Sequence, residues 1–147
     1  MTYSFTNTTT DQTYSVGGGA INYTFSNPTV YTSSSGVSCS DITLTYAIVS
    51  APAFVVFTPS ANTFTFNSSS ASDVGTYNIS YTATLSTGQS QTFYFRLVVS
   101  DPCLSATISP SSLVNQSYMV NYAAVAYTFP AFTVSPASCL VNYSLSN

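Results

Sequence analysis

TYNISYTATLSTGQSQTFYFRLVVS, residues 76–100, is written on a two-residue period. Tyr77, Ile79, Tyr81, Ala83 and Leu85 alternate with Asn78, Ser80, Thr82 and Thr84, and Phe93, Phe95, Leu97 and Val99 alternate with Tyr94, Arg96, Val98 and Ser100. Successive side chains of an extended chain point to opposite faces, so each run has one apolar and one polar face. STGQS, residues 86–90, supplies turn residues between them, and the two runs read as an antiparallel hairpin.

The same alternation recurs outward from that hairpin. Ile42, Leu44, Tyr46 and Ile48 form one inward set, Phe64 and Phe66 another, and Ile21, Tyr23 and Phe25 a third. Turn-forming clusters separate these runs, and no stretch places apolar residues at helical spacing. Short strands of this kind, with one inward face each, predict an all-β antiparallel sandwich.

Composition narrows the function. Charged residues make up 3% of the 147-residue chain, against about 25% in an ordinary domain. The acids are Asp11, Asp41, Asp73 and Asp101, and the only cation is Arg96. One cation does not neutralise a phosphate backbone, so no nucleic-acid partner is expected. Without His or Lys the usual general bases are missing, and no triad of nucleophile, base and orienting acid is available. The sequence therefore reads as non-enzymatic, with no metal and no cofactor. No apolar run reaches the ~18–20 residues of a membrane span, and the start MTYSFTNTTT lacks the basic and apolar regions of a signal peptide.

Ions cannot keep this surface in water, but Ser and Thr total 49 residues. N-x-S/T acceptors begin at Asn7, Asn22, Asn67, Asn78, Asn115 and Asn142; Asn27 is blocked by Pro28. A chain this rich in Asn, Ser and Thr forms some acceptors by chance, so the facing of each decides its value. Asn22, Asn78 and Asn142 fall on outward strand positions and Asn67 in a turn. Covalent glycans in place of charge are the expectation.

An internal repeat sets the domain organisation. Residues 11–25, DQTYSVGGGAINYTF, match residues 115–129, NQSYMVNYAAVAYTF, at an offset of 104. Gln12/Gln116, Tyr14/Tyr118, Val16/Val120, Ala20/Ala124 and the YTF triplet coincide, Thr29-Val30 matches Thr133-Val134, and Cys39 matches Cys139 after a short deletion. Tyr46 and Ile48 pair with Tyr143 and Leu145. Residues 1–103 thus read as one full sandwich. Residues 104–147 read as the first half of a second, which needs further chain or a neighbouring subunit to close its apolar face. The glycines at 17–19 are not followed by Lys and are not kept in the second copy, which favours a strand break over a phosphate loop.

Asp73-Val74-Gly75-Thr76-Tyr77 resembles the D-x-G-x-Y corner of immunoglobulin-like sandwiches, in which the Tyr hydroxyl bonds back to nearby backbone. Ile79 stands where antibody domains often carry a Cys, so their inter-sheet disulfide is not expected. From FTPSANTFTF through DVGTYNISYTATLSTGQSQTFYFRLVVSDPC, about residues 50–103, the chain resembles dystroglycan-type cadherin-like and related Ig-like repeats. The resemblance implies an extracellular or cell-surface β-sandwich, repeated in tandem, used for adhesion, scaffolding or spacing. It does not carry over the cadherin Ca²⁺ sites, whose acidic clusters are missing here. By the repeat, Cys103 opens the second unit and pairs with Cys139; Cys39 with Cys103 is the alternative. Copies of the repeat itself are the expected partners, in a head-to-tail fibre or coat. A binding module that presents an outward aromatic such as Tyr94 is the competing reading.

Overall fold

The computed structural model describes residues 3–6, 8–32 and 42–145; Asn7, Cys39 and Asp41 lie outside them. The chain divides into two compact units, residues 1–101 and 102–147. The first contains β1 (Tyr3–Phe5), β2 (Gln12–Ser15), β3 (Ile21–Thr24), β4 (Val30–Thr32), β5 (Leu44–Ser50), β6 (Val55–Thr58), β7 (Thr63–Phe66), β8 (Gly75–Leu85) and β9 (Ser90–Ser100). The second contains β10 (Thr107–Ser109) and β11 (Thr133–Ser135).

Among the described residues the first unit has a four-stranded sheet in the order β2-β9-β8-β5, a three-stranded sheet in the order β3-β7-β6 and a separate two-stranded sheet, β1-β4. The β8–β9 hairpin is its centre. Gly75 lies opposite Val99 and Thr84 opposite Ser90, so the inward alternations of both strands coincide across the ladder. The turn closes with Leu85 N–H donating to Gln89 C=O at 2.8 Å and Gly88 N–H to Leu85 C=O at 2.8 Å. Gly88 takes φ +91°, which a residue with a Cβ rarely adopts.

The sheets are held together by rings. Phe64 of β7 meets Phe95 of β9 with centroids 5.0 Å apart, and Tyr23 of β3 meets Phe95 at 5.2 Å. Both pairs are edge-to-face, the arrangement favoured by the ring quadrupole. Phe64, Ile79, Tyr81, Ala83 and Leu97 are fully enclosed. This is the all-β sandwich that the alternation implies.

Two details depart from the sequence reading. β2 runs parallel to β9, with Gln12 opposite Leu97 and Ser15 opposite Ser100, so the sandwich is not wholly antiparallel. A parallel pair needs a long crossover, and here nearly the whole unit lies between the two strands. Ile21 and Ile48, both read as inward, are exposed; Ile48 keeps its pairing with Tyr81, and the β5–β8 register shifts only beyond it, between Ile48 and Ser50.

Candidate functional site

The second unit reproduces the local structure of the front of the first. β10 pairs antiparallel with β11, Thr107 opposite Ser135, as β1 pairs with β4, Tyr3 opposite Thr32. The Tyr23 hydroxyl accepts from Thr10 N–H at 2.7 Å; 104 residues on, the Tyr127 hydroxyl accepts from Val114 N–H at 3.3 Å. Gln12 Nε2 donates to Thr10 C=O at 3.1 Å, and Gln116 Nε2 to Val114 C=O at 3.1 Å. Gly18 N–H closes a turn on Ser15 C=O at 3.1 Å, and Tyr122 N–H closes its counterpart on Met119 C=O at 3.3 Å. Within these turns Gly17 has φ +75° and Asn121 φ +70°. Gly and Asn are the residues that enter this region at least cost. Phe25 and Tyr46 stand edge-to-face at 5.4 Å; Phe129 and Tyr143 do the same at 5.4 Å.

The two fronts differ in what covers them. Tyr14 is 2% exposed and Tyr118 61%; Phe25 is 3% exposed and Phe129 43%. In the first unit Phe25 lies against Phe57, Phe64 and Tyr81, with centroids at 6.2, 5.9 and 4.6 Å. At the corresponding place the second unit has an open groove of about 340 Å³, lined by Leu113, Tyr127, Phe129, Phe132, Tyr143 and Leu145. This open aromatic front is the candidate site.

The residues singled out by sequence fall as follows. Cys103 and Cys139 are joined in a disulfide, Cα atoms 5.6 Å apart, which fastens the start of the second unit to the segment after β11. At the corner, the Tyr77 hydroxyl donates to Asp73 C=O at 2.9 Å, and a Cβ at Gly75 would meet the Tyr77 ring at ordinary contact distance. Asn22, Asn67, Asn78, Asn115 and Asn142 are all exposed; Asn7 lies outside the described residues. The glycines at 17–19 form the turn described above. Tyr94 is 63% exposed on the outer face of β9. Arg96 is engaged by Asp11: its N–H donates to Asp11 Oδ1 at 2.9 Å and its Nε lies 3.4 Å from Asp11 Oδ2. Both side chains are exposed, so the pair fixes register more than it adds stability. Among the described residues no three His, Cys, Asp or Glu side chains gather as a metal site, and no helix is long and apolar enough to cross a membrane.

A polar hub escaped the sequence reading. Ser68, buried just past β7, donates its N–H to the Tyr14 hydroxyl at 2.9 Å, and its Oγ donates to Asp73 Oδ2 at 2.6 Å. The Tyr14 hydroxyl has one proton, with Ser68 C=O at 3.0 Å and Gly19 C=O at 3.1 Å within reach. The hub joins β2, the loop after β7 and the corner before β8. One serine in the run Ser68-Ser69-Ser70 carries no mark that distinguishes it, so alternation alone does not find it.

No family model matches the sequence, and no curated protein matches it. Solved structures do. The extracellular cadherin domains 1–4 of protocadherin gamma B7 align over 78% of this chain and 28% of theirs, at 14% identity and a TM-score of 0.50. A SusE-like surface-located polysaccharide-binding protein from the Bacteroides thetaiotaomicron heparin utilisation locus aligns over 68% of this chain and 15% of its own, at 16% identity and a TM-score of 0.44. The PKD domain of the KIAA 1837 protein aligns over 72% of this chain and 90% of its own, at 14% identity and a TM-score of 0.42. The chain thus spans under a third of the first two. The likeness to the cadherin domains bears on the fold alone, an Ig-like β-sandwich.

Proposed function

We propose that this protein is a structural building block of an extracellular fibre or cell-surface coat, assembled head-to-tail from Ig-like repeats and solubilised by glycans on its exposed asparagines. The single observation that carries the reading is the second front half. It keeps the turn, the hydroxyl–amide bond and the Phe–Tyr pair of the first, yet its apolar side lies open. A chain that carries the front of its own fold twice is organised as repeat arrays are. The near absence of charge fits a chain packed against its own kind and coated with sugar.

Sedimentation of native material under non-denaturing conditions tests the assembly. Species many times heavier than 15.6 kDa are expected; a sharp monomer at high concentration contradicts it. Intact mass tests the glycans. Several hexose-rich increments above the bare chain are expected, and a native mass equal to 15.6 kDa removes that part of the proposal. A second reading, an adhesin-type module for glycan or protein, draws on the exposed ring of Tyr94. It predicts glycan-array binding that Tyr94→Ala abolishes.

A further inference from the structure

Asn27, between β3 and β4, gathers two other polar side chains of the first unit. Its Oδ1 accepts from the Tyr46 hydroxyl at 2.9 Å and from Asn62 Nδ2 at 2.6 Å. The donors come from different elements, Tyr46 from β5 and Asn62 from the turn between β6 and β7. Asn62 is held from both sides: its N–H donates to Pro59 C=O at 3.3 Å, and its C=O accepts from Phe25 N–H at 3.1 Å. It takes φ +51°, a region where Gly is the default residue and Asn is tolerated. The Tyr46 ring is fixed in turn, edge-to-face on Phe25. These three side chains line a pocket of about 420 Å³, together with Thr43, Pro59 and Ser60.

The second unit repeats this front without the amides. At the offset of 104, Asn27 and Pro28 stand against Ala131 and Phe132. There the tyrosine is held by backbone instead: Phe132 N–H donates to the Tyr143 hydroxyl at 3.2 Å. Holding that tyrosine therefore does not require an amide side chain. Pro28 has no N–H to give, and it also blocks the glycan-acceptor sequence Asn27-Pro28-Thr29, so the Asn27 nitrogen stays bare.

The chemistry of the pocket follows from how the amides are wired. With its Oδ1 engaged by two donors, Asn27 offers the two N–H groups of Nδ2. With its Nδ2 engaged by Asn27, Asn62 offers Oδ1 as an acceptor. Donor and acceptor thus stand side by side on two directly bonded amides. An alcohol both donates and accepts, so neighbouring hydroxyls on one ring match this pair. None of the lining residues is charged, which disfavours an ionic ligand. Pro59 adds apolar surface for the C–H face of a ring, and the volume falls in the range of about 300–1,000 Å³ of small-molecule sites.

We propose that this pocket binds a neutral saccharide, one pyranose unit held through adjacent hydroxyls by Asn27 and Asn62 with the Tyr46 and Ser60 hydroxyls beside them. The site is separate from Tyr94, and it goes beyond the building-block reading, which stands or falls without it.

The test titrates the isotope-labelled, unglycosylated 147-residue chain with D-glucose, D-galactose, D-mannose and N-acetylglucosamine, and follows the side-chain amide signals of Asn27 and Asn62 by NMR. At least one sugar is expected to shift both signals saturably, with a dissociation constant of about 1–10 mM for a ligand of this size. Shifts that are absent, or that stay linear up to about 100 mM, overturn the proposal. Asn27→Ala places in the first unit the residue that the second unit carries, so it is expected to fold and to weaken binding about 10-fold. Asn62→Gly supplies the residue that the backbone favours at φ +51° and removes the amide, with the same expected loss. It decides alone if Asn27→Ala does not fold. Affinity unchanged by these variants places the sugar elsewhere and overturns the proposal. Unlabelled native chain, added before and after enzymatic removal of its glycans, separates two sources of the same sugar. Shifts from the glycosylated form alone make the ligand a sugar on a neighbouring copy. Shifts from neither form, with free sugar still bound, make it a free saccharide.

Discussion

Tyr81 stands at the centre of the aromatic core, fully enclosed, and its hydroxyl has no hydrogen-bond partner among the described residues. Phe25 and Phe93 lie on it at 4.6 and 5.5 Å. A buried hydroxyl without a partner costs about 1–3 kcal/mol, so Tyr81→Phe is expected to raise stability at neutral pH by that order in urea unfolding. The same variant changes the alkaline limb. Burial, and then the neighbouring Tyr46 and Tyr23 hydroxyls, push the Tyr81 ionisation well above its ordinary value of 10.0, and burial raises Tyr46 in the same direction. The folded state then holds protons that the unfolded chain releases, so stability is intact below pH 10 and falls as the pH rises through the folded values. Tyr81→Phe is expected to flatten that fall; an unchanged slope, or a loss of stability at pH 7, contradicts the assignment. Tyr14 is the converse case. Its hydroxyl accepts the buried Ser68 N–H at 2.9 Å, so Tyr14→Phe leaves that donor unpaired and is expected to cost about 1–3 kcal/mol, checked by the same titration. Tyr81 read from sequence as inward-facing, and Tyr14 only as a position kept in the repeat. Neither the hub nor the orphan hydroxyl is legible there, because alternation tells where a side chain points and not what its polar tip meets.

At the scale of elements, the β8–β9 hairpin was legible in full, since eleven-residue strands with unbroken alternation leave one register that buries Ile79, Tyr81, Ala83 and Leu85 together with Phe93, Phe95, Leu97 and Val99. Shorter elements were less so. β5 is bulged and β2 is parallel to β9, and both follow from how the sheet closes rather than from local pattern. The front half was legible as a repeat, and its conserved turn explains the loss of the glycines: Asn121 takes the positive φ that Gly17 takes in the first unit. Two equivalent phenylalanines measure how complete each unit is. Phe25 is enclosed by rings from β6, β7 and β8, so Phe25→Ala is expected to cost about 3–5 kcal/mol. Phe129 lies at the edge of the open groove, so Phe129→Ala in the same chain is expected to cost under about 1 kcal/mol. Equal costs in thermal unfolding would mean that the second unit is already closed.

For the whole molecule, the shortage of charge and the half repeat point the same way. A chain with one cation and four acids has little electrostatic means of staying dispersed, and exposed aromatics such as Tyr118, Tyr122 and Phe129 add contact surface. Asn22, Asn67, Asn78, Asn115 and Asn142 are exposed, as the proposed glycan coat requires. Composition set the expectation of no nucleic-acid partner and no triad catalysis. What it could not convey is that the open front lacks a cover, because that takes the covered front for comparison. Negative-stain electron microscopy of native material tests the central claim directly. Strands of eleven residues set a sandwich length of about 40 Å, so beaded fibres with an axial period of that order are expected, whereas dispersed single particles of one sandwich each would contradict the structural reading.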